Sequence, residues 1–180
     1  MTIWLTADTH FSHHNVIEYC ARPYSGIEEM NEDMIRRWND VVHATDLVYH
    51  LGDFGLSPAR KLGQIRQKLK GRIVLIRGNH DFGIKPKRWK EEVGIDDVVD
   101  KIDVDEFTLR HLPAKEEDMV FFSTITGQWL LCGHVHERWL MKERQYNVGV
   151  DMNNFTPISL EQVRKNIENL ENQKKEMGLV

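Results

Sequence analysis

Asp8-Thr9-His10, Gly52-Asp53, Gly78-Asn79-His80-Asp81, His111 and Gly133-His134-Val135-His136 follow one another along the chain, each where an apolar run ends. Carboxylate oxygens, imidazole nitrogens and an amide oxygen are the donors that borderline divalent ions accept in mixed sites. Asp8 and His10 are two apart, so an extended backbone turns both side chains to one side, onto one ion. His134 and His136 repeat that spacing behind Gly133, and each can meet a different ion. Asp53 follows Gly52, whose missing side chain lets the backbone pass close to an ion, and its two oxygens suit a bridge. Asn79 can ligate through its amide oxygen. His111 closes the stretch Phe107-Thr108-Leu109 and adds a further imidazole. Those seven donors suffice for two ions and leave His80 free for proton chemistry. Asp81 beside it could orient that imidazole and keep it protonated as a general acid.

Two divalent cations about 3.5–4 Å apart lower the pKa of a bridging water and clamp phosphate oxygens. The hydroxide so formed would attack phosphorus in line with the leaving oxygen, and His80 would protonate that oxygen. The constellation is that of a two-metal phosphoester hydrolase, and its mixed ligands suit Mn²⁺, with Fe or Zn as alternatives.

Such donors need strand ends to carry them. Thr2 to Ala7 reads as a first strand, residues 46–51 as a second and Ile73-Val74-Leu75-Ile76 as a third, buried on both faces. Between them, Ile27, Met30, Met34, Trp38, Val41 and Val42 recur at helical steps, and Leu62, Ile65 and Leu69 stripe a second helix. Ser57 is expected to cap that second helix, with Pro58 in its first turn and Gly71 ending it. The β-α-β-α-β order implies parallel strands with right-handed crossovers. Ligands at the ends of such strands converge on one sheet edge. Short strand-like segments near 97–104, 106–110, 118–123, 128–132 and 144–150 suggest a second, more antiparallel sheet packed on the first. A last helix opens on the capping box Ser159-Leu160-Glu161-Gln162, carries the stripe Leu160, Val163, Ile167 and Leu170, and frays from Asn172. Residues 1–180 read as one domain, without repeats or linkers.

The bulk numbers exclude some classes. A charged fraction of 29% and a net charge of −4 suit a soluble protein and not one that is basic throughout. No apolar run approaches the roughly 20 residues of a membrane span, and no secretory leader is visible. Cys20 and Cys132 cannot form a disulfide framework and read as buried thiols, consistent with the cytoplasm. Residues 60–90 hold eleven Lys/Arg against one acid, and residues 91–118 hold eleven Asp/Glu against three bases. The basic stretch surrounds Gly78–Asp81 and could draw in an anion, or it could be a solvated helix face.

The ordered motifs resemble those of the calcineurin-like metallophosphoesterase superfamily, in particular its small single-domain bacterial and phage members. That pattern, D-x-H, G-D, G-N-H-D/E, H and G-H-x-H, runs here from Asp8 to His136. The resemblance implies an α/β fold of two mixed sheets packed as a sandwich with helices on the outer faces, in four layers. It implies that Asp8, His10, Asp53 and His136 bind one ion, that Asp53, Asn79, His111 and His134 bind the other, and that His80 is the acid. The run Thr9 to Asn15 resembles a subgroup reading D-T-H-F-x-H, so His13, His14 and Asn15 would line the substrate pocket. Gly52-Asp53-Phe54-Gly55-Leu56 lacks the phosphate-gripping arginine of the Ser/Thr protein phosphatases, which points away from that activity. The leading expectation is a phosphodiesterase on a small nucleotide or similar compact diester. A phosphomonoesterase using the same site is the alternative, an oligonucleotide is a further candidate substrate, and a non-catalytic metal-bearing scaffold is the reading from another class.

Overall fold

The computed structural model describes residues 1–115, 117–118 and 127–177. β1 (Ile3–Thr6), β2 (Leu47–His50), β3 (Arg72–Ile76) and β4 (Asp97–Val99) form a parallel array, and β10 (Ile158–Ser159) pairs antiparallel with β1 at its edge. The second sheet runs β5 (Ile102–Val104), β6 (Phe107–Leu109), β7 (Trp129–Cys132), β9 (Gln145–Asn147), β8 (Met141–Lys142). Its two outer pairings are antiparallel, while β6–β7 and β7–β9 are parallel. The segment near 97–104 therefore does not serve one sheet. It breaks at Asp100-Lys101, giving β4 to the first sheet and β5 to the second. The strand expected over 118–123 lies, apart from residue 118, outside the described residues.

Two cores fix the layers. On one face of the first sheet, Val48, Ile73 and Leu75 meet Met30, Met34 and Trp38 of α2 (Ile27–Val41), and Leu62 and Ile65 of α3 (Ala59–Arg66). Each such buried side chain contributes about 1.5–3 kcal/mol. On the other face, Leu5, Tyr49, Leu51 and Ile76 pack on Phe107, Leu109, Trp129, Leu131 and Tyr146 of the facing sheet. The last helix, α5 (Leu160–Glu176), inserts Leu160, Val163 and Ile167 into this same core.

Local signals were mostly obeyed, with shifts at the ends. Ser159 caps α5, its hydroxyl accepting from Gln162 N at 3.1 Å, but the Gln162 side chain donates to Asn166 and does not reach back. The helix stays regular past Asn172 to Glu176. Pro58, not Ser57, is the capping residue of α3, which ends at Arg66; Gly71 (φ +85°) instead turns the chain into β3. Two short elements had no sequence signal: α1 (Val16–Tyr19) and α4 (Pro86–Arg88), which runs into a wide turn over Trp89–Val93.

Charge is settled by pairs across the fold and by two local i,i+4 pairs. Arg66 and Arg72 reach Asp96, Arg77 reaches Asp100, Lys87 and Arg88 reach Glu91 and Glu92, and Lys90 reaches Asp97. Six of the eleven basic residues are thus paired with acids of the stretch that follows. Among the described residues, no helix is long and apolar enough to cross a membrane.

Candidate metal centre

The ligand motifs sit just past the carboxyl ends of β1, β2, β3, β6 and β7, all neighbours in parallel pairs within their own sheets. The first two loops run side by side. Asp8 N donates to Gly52 O, His10 N to Asp53 O and Phe11 N to Phe54 O, each at 3.0 Å.

The backbone there is not extended. Asp8 (φ 57°), His10 (49°), Asp53 (56°), His134 (70°) and His136 (48°) all occupy the left-handed region. The shared side of Asp8 and His10, and of His134 and His136, therefore comes from tight loops and not from strand alternation. Each non-glycine residue held this way costs about 1–2 kcal/mol, a strain that gathers where function resides. Gly133 makes the close approach possible, because a Cβ there would meet Ala7 Cβ at 2.5 Å and Asp8 Oδ2 at 2.6 Å. The space beside Gly52 is taken by the Gly78 backbone and the His111 ring.

Asp8, His10 and His136 form one cluster with donor atoms within 4.8 Å of one another, and Asp53, His111 and His134 form another. Asp53 Oδ2 joins them, 3.6 Å from His10 Nε2 and 3.5 Å from His111 Nε2. Asn79 Oδ1 completes the second cluster, 3.0 Å from His111 Nε2 and 3.1 Å from His134 Nδ1. His111 Nδ1 donates to Leu51 O at 2.7 Å, which turns Nε2 towards those oxygens. His80 Nε2 lies 4.0 Å from Asp53 Oδ2, with 38% of its side chain exposed. All seven expected ligands and His80 are brought together.

The electrostatics call for positive charge. Burial pushes the Asp8 carboxyl up to about 6 and the His10 imidazole down to about 2. Against the burial that would protonate it, Asp53 is held well below the carboxylate range, chiefly by His111. His111 resists burial through Asp53 and Asp8 and rises to about 9; His136 resists it through Asp151, Cys20 and Asp8 and rises to about 10. Among the described residues, Asp8 Oδ1 and both ring nitrogens of His10 are buried without a hydrogen-bond partner. Buried polar atoms without partners need an explanation, and a cation bound between them supplies one. The donor set fits divalent metal.

The calcineurin-like phosphoesterase superfamily domain model matches residues 1–154. The chain belongs to that superfamily. A relative, the uncharacterized protein MJ1445 of Methanocaldococcus jannaschii, is 40% identical over 176 residues, spanning 92% of this chain and 91% of its own. The crystal structure of AQ665 from Aquifex aeolicus, a protein of unknown function, superposes with a TM-score of 0.69 at 26% identity, over 91% of this chain and 98% of that one.

Within this calcineurin-like frame some expected roles change. The Asp81 carboxylate is not turned to the His80 ring. It accepts from Asp53 N (2.7 Å), Gly78 N (2.8 Å) and Phe54 N (3.1 Å), so it clasps two ligand loops together. Burial raises Asp81 to about 7, against the pull of those donors. His13 does face the centre, its ring 5.5 Å from His10 and 5.9 Å from His80. His14 and Asn15 do not; after the left-handed Ser12 the chain turns into α1, leaving both exposed. Cys132 is buried as expected, but Cys20 is half-buried and grouped with His136 and Asp151.

Two functional residues had no motif to mark them. Asp151 Oδ2 lies 2.8 Å from His136 Nδ1, and Arg22 grips Asp151 through Nε at 2.8 Å and Nη2 at 3.0 Å. Arg22 also donates to the carbonyls of Asp8 (2.6 Å) and Thr9 (3.1 Å). The clamp spans 129 residues of sequence, and its one sign there is that Arg22 is the single Lys or Arg before Arg36.

Proposed function

We propose that this chain is a two-metal phosphodiesterase acting on a small, compact diester such as that of a nucleotide. The observation that carries the reading is Asp53 Oδ2, shared between His10, His111 and His80 within 4.0 Å. Asp8, His10, Asp53 and His136 would hold one ion, and Asp53, Asn79, His111 and His134 the other. Bound there, two divalent ions, Mn²⁺ by preference and Fe or Zn as alternatives, supply an activated water and polarise the phosphoryl oxygens.

The residues divide the remaining work. His80 delivers its proton to the leaving ester oxygen as the phosphorus–oxygen bond breaks, while water adds its hydroxyl to phosphorus. The exposed side of the ring lets solvent restore the proton. A positioned acid of this kind contributes about 10²–10⁴-fold. Asp81 and the Arg22–Asp151 pair hold the loops that carry these groups. A scaffold has no use for an imidazole held over the shared carboxylate, which favours an enzyme. The ion pairing of the basic stretch favours a compact substrate over a long polyanion.

The test is Mn²⁺-supported hydrolysis of an aryl phosphodiester beside the matching monoester, with wild type and His80→Ala. Diester preference that falls 10²–10⁴-fold in the variant, with metal retained, is expected. Monoester preference would overturn the diester assignment. Unchanged turnover in His80→Ala would remove His80 from the reaction.

A further inference from the structure

A cavity of about 240 Å³ opens on one side of the centre. Its inner wall is His10, His80 and His136; its outer wall includes Tyr19, Glu137 and Arg138. Asn79, His111 and His134 do not border it, so it lies beside the proton donor and away from the second cluster. It is smaller than the roughly 300–1,000 Å³ of drug-sized ligand sites, so it holds one compact group.

The outer wall is unusual in what it leaves unused. Tyr19 is 72% exposed, and among the described residues its ring stacks on nothing and its hydroxyl has no partner. Glu137 and Arg138 form no ion pair among the described residues, although most charges near the centre are paired. Of the large exposed apolar side chains described, Tyr19 at the end of α1, Leu56, Phe82 and Leu112 all lie in segments that follow ligand motifs; the others, Met1 and Met177, lie near the chain ends. Exposed apolar surface collected around a polar site marks where a ligand lands.

We infer that this cavity takes the nucleoside portion of the substrate, on the leaving-group side of the phosphate, with the base stacked on Tyr19. A free aromatic ring offers any base a π face. Glu137 and Arg138 present an acceptor beside a donor, the pairing that a base edge displays. The assignment rests on the phosphoester reading above, because His80 defines the leaving-group side.

The experiment is competition binding of adenosine 5′-monophosphate, ribose 5-phosphate and inorganic phosphate to the Mn²⁺-loaded protein, for wild type, Tyr19→Ala and Tyr19→Phe. The nucleotide is expected to bind roughly 5- to 150-fold more tightly than ribose 5-phosphate, the range for one stacked base. Tyr19→Ala should abolish that preference and Tyr19→Phe keep it, with phosphate affinity the same in all three. Equal affinity for nucleotide and sugar phosphate, or a preference that survives Tyr19→Ala, would overturn the base site while leaving the phosphoester reading intact. Failure of all three ligands to bind would overturn both.

Discussion

His136 Nδ1 is held 2.8 Å from Asp151 Oδ2, which leaves Nε2 as the nitrogen this ring can offer to an ion. Asp151 is in turn fixed by Arg22, with both side chains almost fully buried. A carboxylate behind a ligating histidine sets its tautomer and orientation, and losing it typically costs 10–100-fold in metal affinity. Asp151→Asn should therefore weaken binding of one ion about 10–100-fold and spare the other. Calorimetric Mn²⁺ titration checks this; two equally weakened sites would show that Asp151 acts on the fold as a whole.

Metal should stabilise the protein, because the buried atoms of Asp8 and His10 gain partners. At one hundred times its Kd an ion adds about 2.7 kcal/mol, equivalent to a rise in Tm of roughly 5–10 °C for a chain of this size. Asp53→Asn should lose most of that shift, since it removes the oxygen shared by both clusters. A full Mn²⁺-induced shift in the variant, read by scanning calorimetry, would rule out the bridge.

Asp81 is expected to behave as a clasp. In Asp81→Asn the amide NH₂ would face backbone donors, and each donor left unsatisfied costs about 1–3 kcal/mol. The variant should melt earlier and need more metal, yet at saturating Mn²⁺ its kcat–pH profile should match wild type. A displaced profile would mean that Asp81 acts on His80 directly.

Asp46 is expected to contribute to acid sensitivity, alongside other depressed carboxylates such as Asp33 and Asp151. Its carboxylate accepts from Thr2 N (2.7 Å), His43 N (3.0 Å) and Trp4 Nε1 (3.1 Å), which lowers it to about 2. The folded state thus binds this proton less readily than the unfolded chain, where a carboxyl titrates near about 4. The stabilisation is complete above that unfolded value and drains away as pH falls towards 2. Thermal melts between pH 5 and 2 should show a steep loss in wild type and a shallower one in Asp46→Asn, which should also melt several degrees lower at neutral pH. Parallel curves would assign the acid sensitivity elsewhere.

Much of the fold was legible because it is written in local periodicity and capping. The stripe Met30, Met34, Trp38 and the Ser159 cap need only near neighbours to act. The division of residues 97–104 was not legible, since the same alternation suits either sheet and only the available partner edges decide. The job of Asp81 is not legible in the sequence for a related reason. Adjacency to His80 in sequence suggested a pair, but a tight turn sends the carboxylate inward to three amides.

The sequence by itself determined which donors exist and in what order, from Asp8 to His136, because donor chemistry belongs to residue type and the motifs fall at strand ends. It also determined the parallel β-α-β-α-β half, through hydrophobic period alone. Tertiary structure alone decided how the donors meet. Five ligands adopt left-handed backbone, which Asp and His tolerate better than most side chains but which no local pattern here required, and loops pairing across the sheet edge hold the first of them there. It alone recruited Arg22 and Asp151, which are 129 positions apart, and paired Arg66, Arg72, Arg77 and Lys90 with Asp96, Asp97 and Asp100. Such effects depend on distances in space that no local pattern encodes.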